Sequence, residues 1–274
     1  MKRILITGAS SGIGAATALH LDRRGMEVFA AVREPSEGAL ASASDRLRQI
    51  ALDVTDSGSI AEAMATVSEQ VGGAGLDGLV NNAGIGVPGP LEVLAVDELR
   101  QQLEVNVIGQ VAVTQAALPL LRTAGGRIVF VGSVGGQLAA QFAGPYHASK
   151  FAIEAIADVW RQELEPEAVS VVLIEPSAIS TPIWDKAIER IDALVAGSDP
   201  RLDRYRDRLS GFRESLHSAD EHGKAPQDVA EVIEEALTAK SPDTRYVVGA
   251  SGKLATALRP LIPDRLADKL AERA

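Results

Sequence analysis

Short apolar segments alternate with longer amphipathic segments from the start of the chain. The segment Lys2–Thr7 is apolar and rich in β-branched residues, which is typical of a buried strand, and it stops at Gly8. A helical pattern runs from about Gly14 to Arg24, and the next apolar segment, Glu27–Val32, predicts a second strand. This alternation of strand, helix and strand predicts a parallel sheet whose faces are covered by helices.

The same alternation continues along most of the chain. Further strands are predicted at Leu47–Leu52, Leu76–Val80, Arg127–Val131, Val169–Ile174 and Arg245–Val248. Further helices are predicted at Ser57–Val71, Val96–Arg122 and Tyr146–Glu165. A glycine, Gly109, predicts a bend in the second of these helices. The sequence therefore predicts an α/β fold, a doubly wound Rossmann-type parallel sheet of about seven strands with helices on both faces, and a ligand site at the carboxyl ends of the strands.

Residues 181–225 break this alternation, because they are highly charged and show helical patterns but no strand. An insertion after a strand is often a lid, so we expect a helical substrate lid here; the alternative is a surface helical hairpin without a substrate role. We expect residues 1–252 to form a single domain that includes this lid. Residues 253–274 form an amphipathic extension, for which packing on the body is favoured over contact with a partner subunit or a lipid surface.

Composition narrows the function classes. The 274 residues carry a formal net charge of −10, which disfavours nucleic-acid binding and adhesion to anionic membranes. The chain has no cysteine, which excludes disulfides, thiolate catalysis and cysteine-bound zinc. The histidines lack companions at metal-ligand spacing, so we expect no metal. The first apolar segment is too short for a signal peptide, and no apolar window could span a membrane, so we expect a cytoplasmic protein.

A glycine-rich loop follows the first predicted strand and precedes the first predicted helix. In Thr7–Gly14 (TGASSGIG), Gly8 permits a sharp turn, Gly12 lets the backbone approach a pyrophosphate, and Gly14 lets helix and strand pack closely. The helix N-terminus then offers free N–H groups to the anion. The alternative is a purely structural turn. The loop residues predicted to bind a dinucleotide are Gly8, Ser10, Ser11, Gly12, Ile13 and Gly14.

The end of the second strand indicates which dinucleotide is bound. An acidic residue there would accept hydrogen bonds from the ribose 2′-hydroxyl of NAD, but this chain has Val32 followed by Arg33. The planar guanidinium of Arg33 can pair with the 2′-phosphate of NADP. Glu34 follows and weakens the argument, and the alternative is a solvated arginine. We predict that NADP(H) is favoured over NAD(H).

Four polar residues form a candidate catalytic group. Tyr146 and Lys150 are four residues apart in a predicted helix, so they share one face, and the ammonium group would lower the pKa of the tyrosine by stabilising its phenolate. Ser133 follows the fifth strand, where its hydroxyl can hydrogen-bond a substrate oxygen. Asn106 lies in an apolar part of a helix, so it needs polar partners; it either holds a water in a proton relay or satisfies a helix kink.

Together these motifs resemble the short-chain dehydrogenase/reductase family in its compact single-domain form. The resemblance extends from about Lys2 to Thr181 and is carried by TGASSGIG (Thr7–Gly14), NNAG (Asn81–Gly84), Asn106, Ser133 and YHASK (Tyr146–Lys150). It implies that Tyr146 is the general acid/base, that Lys150 lowers its pKa and binds the nicotinamide ribose, and that Ser133 orients the substrate. Asn106 would support a water relay.

The resemblance also implies a path for the dinucleotide. The adenine and its ribose would be lined by Asp53, Val54, Asn82, Ala83 and Gly84. The nicotinamide carboxamide would be contacted by Pro176, Ser177, Ile179 and Thr181, beside Tyr146 and Lys150. The family usually has Pro-Gly where this chain has Pro176–Ser177, so we expect the loop to bend differently there.

Three further segments of the chain indicate the class of substrate. The segments GSVGG (Gly132–Gly136), FAAVRE (Phe29–Glu34) and YHASKFAIE (Tyr146–Glu154) resemble the hydroxysteroid and retinol dehydrogenase branch, which implies a hydrophobic alcohol or ketone. The family resemblance also implies a homodimer or homotetramer.

The sequence thus predicts an NADP(H)-dependent oxidoreductase that interconverts an alcohol and its carbonyl. The first alternative is a non-catalytic NADP(H)-binding sensor, which would not need four filled catalytic positions. The second is an epimerase or dehydratase with tightly held NAD, which is disfavoured by the missing acidic residue at Val32–Arg33 and by the short substrate region.

Overall fold

A parallel sheet forms the centre of the protein. The computed structural model describes residues 1–36 and 38–271; the last part of the predicted C-terminal extension, residues 272–274, lies outside them. Within the described residues, the sheet contains β1 (Arg3–Thr7), β2 (Glu27–Val32), β3 (Leu47–Ala51), β4 (Gly78–Asn81), β5 (Arg127–Val131), β6 (Ser170–Pro176) and β7 (Arg245–Val248). The strand order is β3-β2-β1-β4-β5-β6-β7, and every pair is parallel, so the predicted fold class is confirmed.

Apolar residues on both faces of the strands create two cores. Because successive side chains of a strand point to opposite faces, Leu5 lies in one core and Ile4 and Ile6 lie in the other. All three are fully buried, as are most apolar residues of β2 and β5. The near-continuous apolar runs that predicted these strands therefore reflect burial on both faces of a parallel sheet.

The helices cover both faces of the sheet. In the described part of the chain they are α1 (Gly12–Arg23), α2 (Ser57–Val71), α3 (Val96–Leu103), α4 (Gly109–Ala124), α5 (Gly144–Leu164), α6 (Ile183–Ala196), α7 (Arg206–Glu221), α8 (Pro226–Thr238), α9 (Ala250–Leu258) and α10 (Asp264–Ala271). Helices α2, α4 and α5 pack with the core that contains Leu5, through Val67, Val113 and Ile153. Helices α1 and α8 pack with the other core.

The predicted single helix Val96–Arg122 is wrong in one respect. A π-helical segment, Glu104–Ile108, separates α3 from α4, and the N–H of Gly109 donates to the carbonyl of Glu104, five residues earlier. A side chain at Gly109 would collide with the backbone of Val54, with its Cβ 2.7 Å from the Val54 carbonyl oxygen. The glycine therefore permits close packing, and the irregularity lies just before it. Such π segments frequently occur at functional sites.

Residues 181–225 are helical, as predicted, and their two ends meet. The N–H of Ser180 donates to the carbonyl of Lys224 at 3.0 Å, and the N–H of Lys224 donates to the carbonyl of Ala178 at 3.0 Å. Helices α6 and α7 bury a third apolar cluster, which includes Ile191 and Leu209 and also Phe142 from the segment before α5. This segment is therefore a helical pair on a closed base rather than a strand-forming part of the sheet.

Helix α8 was not predicted from the sequence, although its start has a recognisable signal. Pro226 occupies the first turn, and the carboxylate of Asp228 accepts a hydrogen bond from the N–H of Ala225 at 3.1 Å. The C-terminal extension begins within α9, where Gly252 and Thr256 are buried while Leu254 and Leu258 are exposed. No helix among residues 1–36 and 38–271 is long and apolar enough to cross a membrane.

Candidate active site

The glycine turn after β1 is tightly enclosed by two later parts of the chain. Gly8 has a φ of 65°, and a Cβ there would lie 2.7 Å from the Cα of Ala83. Gly12 has a φ of 55°, and its Cβ would lie 3.2 Å from Cγ2 of Thr181. Left-handed backbone and close contacts together require glycine at both positions. The turn is thus held between the loops that follow β4 and β6.

Asn82 and Thr7 fasten this turn to the end of β4. The Asn82 amide donates to the carbonyls of Thr7 and Gly8 at 2.9 and 3.1 Å, and the Thr7 hydroxyl accepts from the N–H groups of Asn82 and Ala83 at 3.0 Å. A Cβ at Gly14 would lie 2.5 Å from the Asn82 amide nitrogen, so Gly14 packs behind the turn. Thr7 was not predicted as a site residue; its signal in the sequence is a polar residue at the end of an apolar strand.

A cleft of about 470 Å³ opens at the carboxyl ends of the strands. Its lining contains every site residue predicted from the sequence except Gly14, namely Gly8, Ser10, Ser11, Gly12, Ile13, Arg33, Asp53, Val54, Asn82, Ala83, Gly84, Asn106, Ser133, Tyr146, Lys150, Pro176, Ser177, Ile179 and Thr181. Gly14 is buried, which agrees with the packing role that the sequence suggested for it. The cleft lies where the strand order reverses beside β1, the usual ligand position in a doubly wound sheet.

The end of the cleft near β2 and β3 suits the adenosine part of a dinucleotide. The guanidinium of Arg33 is exposed and makes no hydrogen bond or ion pair with the residues that the structure describes. Hydrogen bonds from the backbone N–H and hydroxyl of Thr55 lower the pKa of Asp53, and the charge of Arg33 adds to this effect. Helix α1 begins at Gly12 without an acidic residue in its first turn, so its N-terminus remains available to an anion. These residues fit a nicotinamide dinucleotide.

Asn106 lies in the π-helical segment and joins it to the loop after β4. Its Oδ1 accepts from the N–H of Ile85 at 2.8 Å, and its Nδ2 donates to the Ile85 carbonyl and to Oγ of Ser149, both at 3.0 Å. Ser149 in turn donates to the carbonyl of Tyr146 at 2.7 Å. Both amide hydrogens of Asn106 are thus used in hydrogen bonds, and through Ser149 the side chain links Ile85 to the backbone of Tyr146. The role of Asn106 in a water relay stays a prediction. Ser149 was not predicted as a site residue, although it lies inside YHASK.

Three polar groups meet at the opposite end of the cleft from Arg33. Burial raises the pKa of Tyr146 above its usual value, while hydrogen bonding with Ser133 lowers it. The Lys150 amine lies 5.7 Å from the centre of the Tyr146 ring and donates to the carbonyl of Val131 at 2.8 Å. Burial lowers the pKa of Lys150 to about 8, and the charge of Glu154 opposes that effect. Lys150 therefore remains mostly cationic at neutral pH, within electrostatic range of the Tyr146 hydroxyl.

The loop after β6 accommodates a serine where a glycine was expected. The hydroxyl and the N–H of Ser177 both donate to the carbonyl of Val248 at 2.9 Å. Gly249, with a φ of 112°, faces this hydroxyl so closely that any Cβ at residue 249 would collide with it. A Cβ at Gly252 would also lie 3.2 Å from the Ser177 Cβ. The space for the Ser177 side chain is therefore provided by glycines on the opposite segment.

Comparison with known proteins agrees with this geometry. A family model described as short chain dehydrogenase matches residues 2–192. The chain belongs to the short-chain dehydrogenase family. As a member, it is an oxidoreductase that acts on an alcohol or the corresponding carbonyl. The solved structure of a short-chain dehydrogenase from Streptomyces avermitilis has a TM-score of 0.80 and 29% identity, and the match covers 99% of this chain and 96% of that one.

Curated relatives of this dehydrogenase include reductases and retinol dehydrogenases. It is 40% identical over 254 residues to a 3-amino-tetrahydro-pyrrolizinone reductase from Xenorhabdus hominickii, covering 92% of this chain and 88% of the relative. It is 35% identical to an NADPH-dependent 3-dehydrocapnine reductase from Ornithobacterium rhinotracheale, covering 98% and 96%. It is 37% identical to retinol dehydrogenase 16 from Mus musculus, covering 98% and 87%.

Proposed function

We propose that this short-chain dehydrogenase is an NADP(H)-dependent enzyme that interconverts a hydrophobic primary or secondary alcohol and its carbonyl, with Tyr146 as the general acid/base. One observation carries the proposal: Tyr146, Ser133 and Lys150 converge in the same cleft as the glycine turn at Gly8 and Gly12. The cleft thus brings together residues that would hold a dinucleotide and residues that could move a proton.

The side chains have distinct tasks in this mechanism. The residues that line the cleft would hold a nicotinamide cofactor, which would supply or accept the hydride of the reaction. In carbonyl reduction, the Tyr146 hydroxyl gives its proton to the substrate oxygen, and Ser133 donates a hydrogen bond to the same oxygen. Burial raises the pKa of Tyr146. In this proposal the ammonium group of Lys150 stabilises the phenolate that results, against that effect. In alcohol oxidation the same phenolate takes the proton.

Two observations support NADP(H) as the preferred cofactor. Arg33 is exposed at the end of β2, beside the region that suits the adenosine ribose, and it makes no polar contact within the described residues. A guanidinium in that position can pair with a 2′-phosphate through two parallel hydrogen bonds. One relative is named as NADPH-dependent.

The cleft wall and the relatives together support a hydrophobic substrate. Ile85, Ile183 and Trp184 line the cleft, the last two from the start of α6. The Trp184 indole donates to the carbonyl of Ile179 at 2.6 Å, which fixes its position relative to the loop after β6. We propose that α6 and α7 form a lid within the single domain 1–252 and that the lid covers an apolar alcohol or ketone. A relative named as a retinol dehydrogenase is consistent with such a substrate.

Replacing Tyr146 by phenylalanine tests this function. The variant keeps the ring but loses the proton donor, so kcat should fall by a factor on the order of 10² to 10⁴, while the Kd for NADPH stays unchanged. The measurement is NADPH oxidation with a panel of steroid, retinoid, acyl and aromatic carbonyls. Tyr205→Phe is the matched control, because its hydroxyl contacts Glu92 on the lid side of the molecule. Undiminished turnover in Tyr146→Phe would refute the proposed mechanism.

A further inference from the structure

Two buried or largely buried glutamates, Glu154 and Glu175, have no role in the mechanism above. Glu154 follows Lys150 by one turn of α5, and its side chain is 14% exposed. Glu175 precedes Pro176 at the end of β6 and is fully buried. A carboxylate is costly to bury without compensating partners, so the hydrogen bonds of these two residues need a full account.

Each carboxyl group has one satisfied and one unsatisfied oxygen. Oε1 of Glu175 accepts a hydrogen bond from the amide of Gln137, and Oε2 of Glu154 accepts from Nε and Nη2 of Arg245 at 3.3 Å. The remaining oxygens, Oε1 of Glu154 and Oε2 of Glu175, are buried and receive no donor from the described residues. The charge of Glu175 and hydrogen bonding with it both raise the pKa of Glu154, which indicates that the two carboxyl groups are neighbours.

A single proton between the two unsatisfied oxygens would give each of them a hydrogen-bonding partner. A protonated carboxyl donates to its neighbour, whereas two carboxylates in contact would repel each other in a buried site. Burial and the neighbouring Glu175 raise the pKa of Glu154 to about 7, and Arg245 acts in the opposite direction. The protonated form of the pair is therefore populated at mildly acidic to neutral pH.

Other charged groups face the pair from each element packed against it. On α5 these are Lys150, one turn before Glu154, and Asp158, one turn after it. From β7, Arg245 contacts Glu154 and also donates to Asp158 at 2.8 Å. Asp158 takes up much of the Arg245 charge, so Arg245 does not neutralise the two glutamates fully. A pair with one proton retains one negative charge, and that charge favours the ammonium form of Lys150.

The pair also connects the segments that carry the active site. Gln137 belongs to the loop that begins at Ser133, and a Cβ at Gly136 in that loop would lie 3.0 Å from Oε1 of Glu154. Glu175 adjoins Pro176, whose carbonyl lies 3.5 Å from the Ser133 hydroxyl. The Gln137–Glu175–Glu154 chain therefore joins the loops after β5 and β6 to α5.

We propose that Glu154 and Glu175 share a single proton and act as positioning residues, holding the loops after β5 and β6 against α5 and keeping Lys150 cationic. The shared proton is a property of the folded chain, and only the effect on Lys150 rests on the proposed function. At alkaline pH the proton is lost, and two buried negative charges then face each other.

Glu175→Gln tests the shared proton without requiring turnover. A glutamine at 175 donates permanently to Glu154, so this variant imitates the pair with one proton at every pH. In the wild-type protein, the ordinary glutamate pKa of 4.5 in the unfolded state is below the folded value of about 7. The folded state therefore binds more protons between these values, and stability present at low pH is lost as pH rises. One such proton changes the unfolding equilibrium by about tenfold per pH unit.

Urea unfolding from pH 5 to 8 is the measurement. We expect the wild-type midpoint to fall relative to that of Glu175→Gln as pH rises, because other titrating groups contribute equally to both. Identical pH dependence in the two proteins would overturn the shared proton. Gln137→Glu is a second variant, which places a third carboxyl group beside Glu175. Its urea midpoint should therefore fall more steeply with rising pH than that of the wild-type protein. An unchanged pH dependence in this variant would also contradict the shared proton.

The effect on Lys150 is tested by the pH profile of kcat/KM. The variant Glu175→Gln keeps one negative charge, at Glu154. The double variant Glu154→Gln/Glu175→Gln has side chains of the same size at both positions but no negative charge. The alkaline limit of activity should lie at lower pH in the double variant than in the single variant, because Lys150 loses its proton more readily when no carboxylate faces it. Superimposable profiles of the single and double variants would overturn this role. If the unfolding result holds while the wild-type protein reduces no carbonyl, the proposed function fails and the shared proton stands.

Discussion

The prediction that NADP(H) is the preferred cofactor depends on Arg33, whose guanidinium group is exposed. Its position at the end of β2 and the absence of a polar partner within the described residues make it available to a 2′-phosphate. In Arg33→Asp, we expect kcat/KM with NADPH to fall by about thirtyfold, which corresponds to about 2 kcal/mol for a lost charge-assisted contact. The value with NADH should rise or stay constant, because an aspartate can accept from the ribose hydroxyls.

Arg33→Lys provides the control for this experiment. It keeps the charge but loses the planar pair of donors, so its preference for NADPH should be weakened without being reversed. The measurement is initial rates with both cofactors at a fixed substrate concentration. An unchanged NADPH/NADH ratio in Arg33→Asp would contradict the assignment.

At the residue scale, the sequence identified side chains that belong to local motifs and missed those that depend on distant contacts. The glycine turn could be predicted because positive φ at Gly8 is a local demand of the strand-to-helix turn. Thr7 and Ser149 could not, since their hydroxyls acquire partners only when β4 and the π-helical segment lie beside them. From the sequence, Glu175 is recognisable only as the end of a strand, because its neighbour Glu154 comes from another element.

Helices α6 and α7 are tied to the active-site side of the protein by an aromatic cluster. Phe142, just before α5, is buried with a φ of 64°, and its ring contacts those of Tyr205 and Phe212 with centroid distances of 6.1 and 5.7 Å. The guanidinium of Arg208 lies over the Phe142 and Tyr205 rings. These contacts join the helical pair to the segment that leads to Tyr146.

Phe212→Ala should loosen the proposed lid. Loss of one aromatic pair is worth on the order of 1 kcal/mol, so we expect the KM for an apolar substrate to rise by several-fold to about tenfold, with the Kd for NADPH unchanged. Glu214→Ala, an exposed change on the same helix, is the control. Equal losses of substrate and cofactor affinity in Phe212→Ala would instead indicate a purely structural helical pair.

At the element scale, apolar periodicity predicted the strands and most helices but could not reveal the π-helical segment. The ends of some strands differ from the predicted ends by one or two residues where hydrogen bonds to other elements replace those of the sheet. The N–H of Leu76 donates to Leu120 on α4, so β4 begins later than predicted. Glu104–Ile108 keeps the polarity pattern of a helix, and the extra residue in its turn is visible only from the hydrogen bonds. That extra residue turns Asn106 towards Ile85 and Ser149.

At the scale of the whole molecule, one face of α5 remains apolar and exposed. Phe151 is 46% exposed and Val159 is 51% exposed, and their spacing of eight residues places them on the same side of the helix. Ile108, between α3 and α4, is 52% exposed. We propose that this face contacts a second copy of the chain, as the expected homodimer or homotetramer requires.

The double variant Phe151→Glu/Val159→Glu tests this association. Glutamates would meet their own copies across a symmetric contact and be desolvated, so we expect a smaller species by light scattering at micromolar concentration. Leu254→Glu changes a residue that is 62% exposed on α9 and is the control. If only the control reduces the particle size, the contact involves the C-terminal extension instead.

The strand order also imposes a sequence of events on a chain that emerges from the ribosome. β1 is made first, but its second neighbour, β4, becomes available only after β2, β3 and α2. The glycine turn then needs Ala83 on one side and, much later in synthesis, Thr181 on the other. At the proposed site, a dinucleotide would therefore have no complete binding surface on a nascent chain and would not guide early folding. It would stabilise only a chain that is close to complete, so we expect any effect of cofactor supply on the amount of protein in the cell to act after synthesis, through protection from proteolysis.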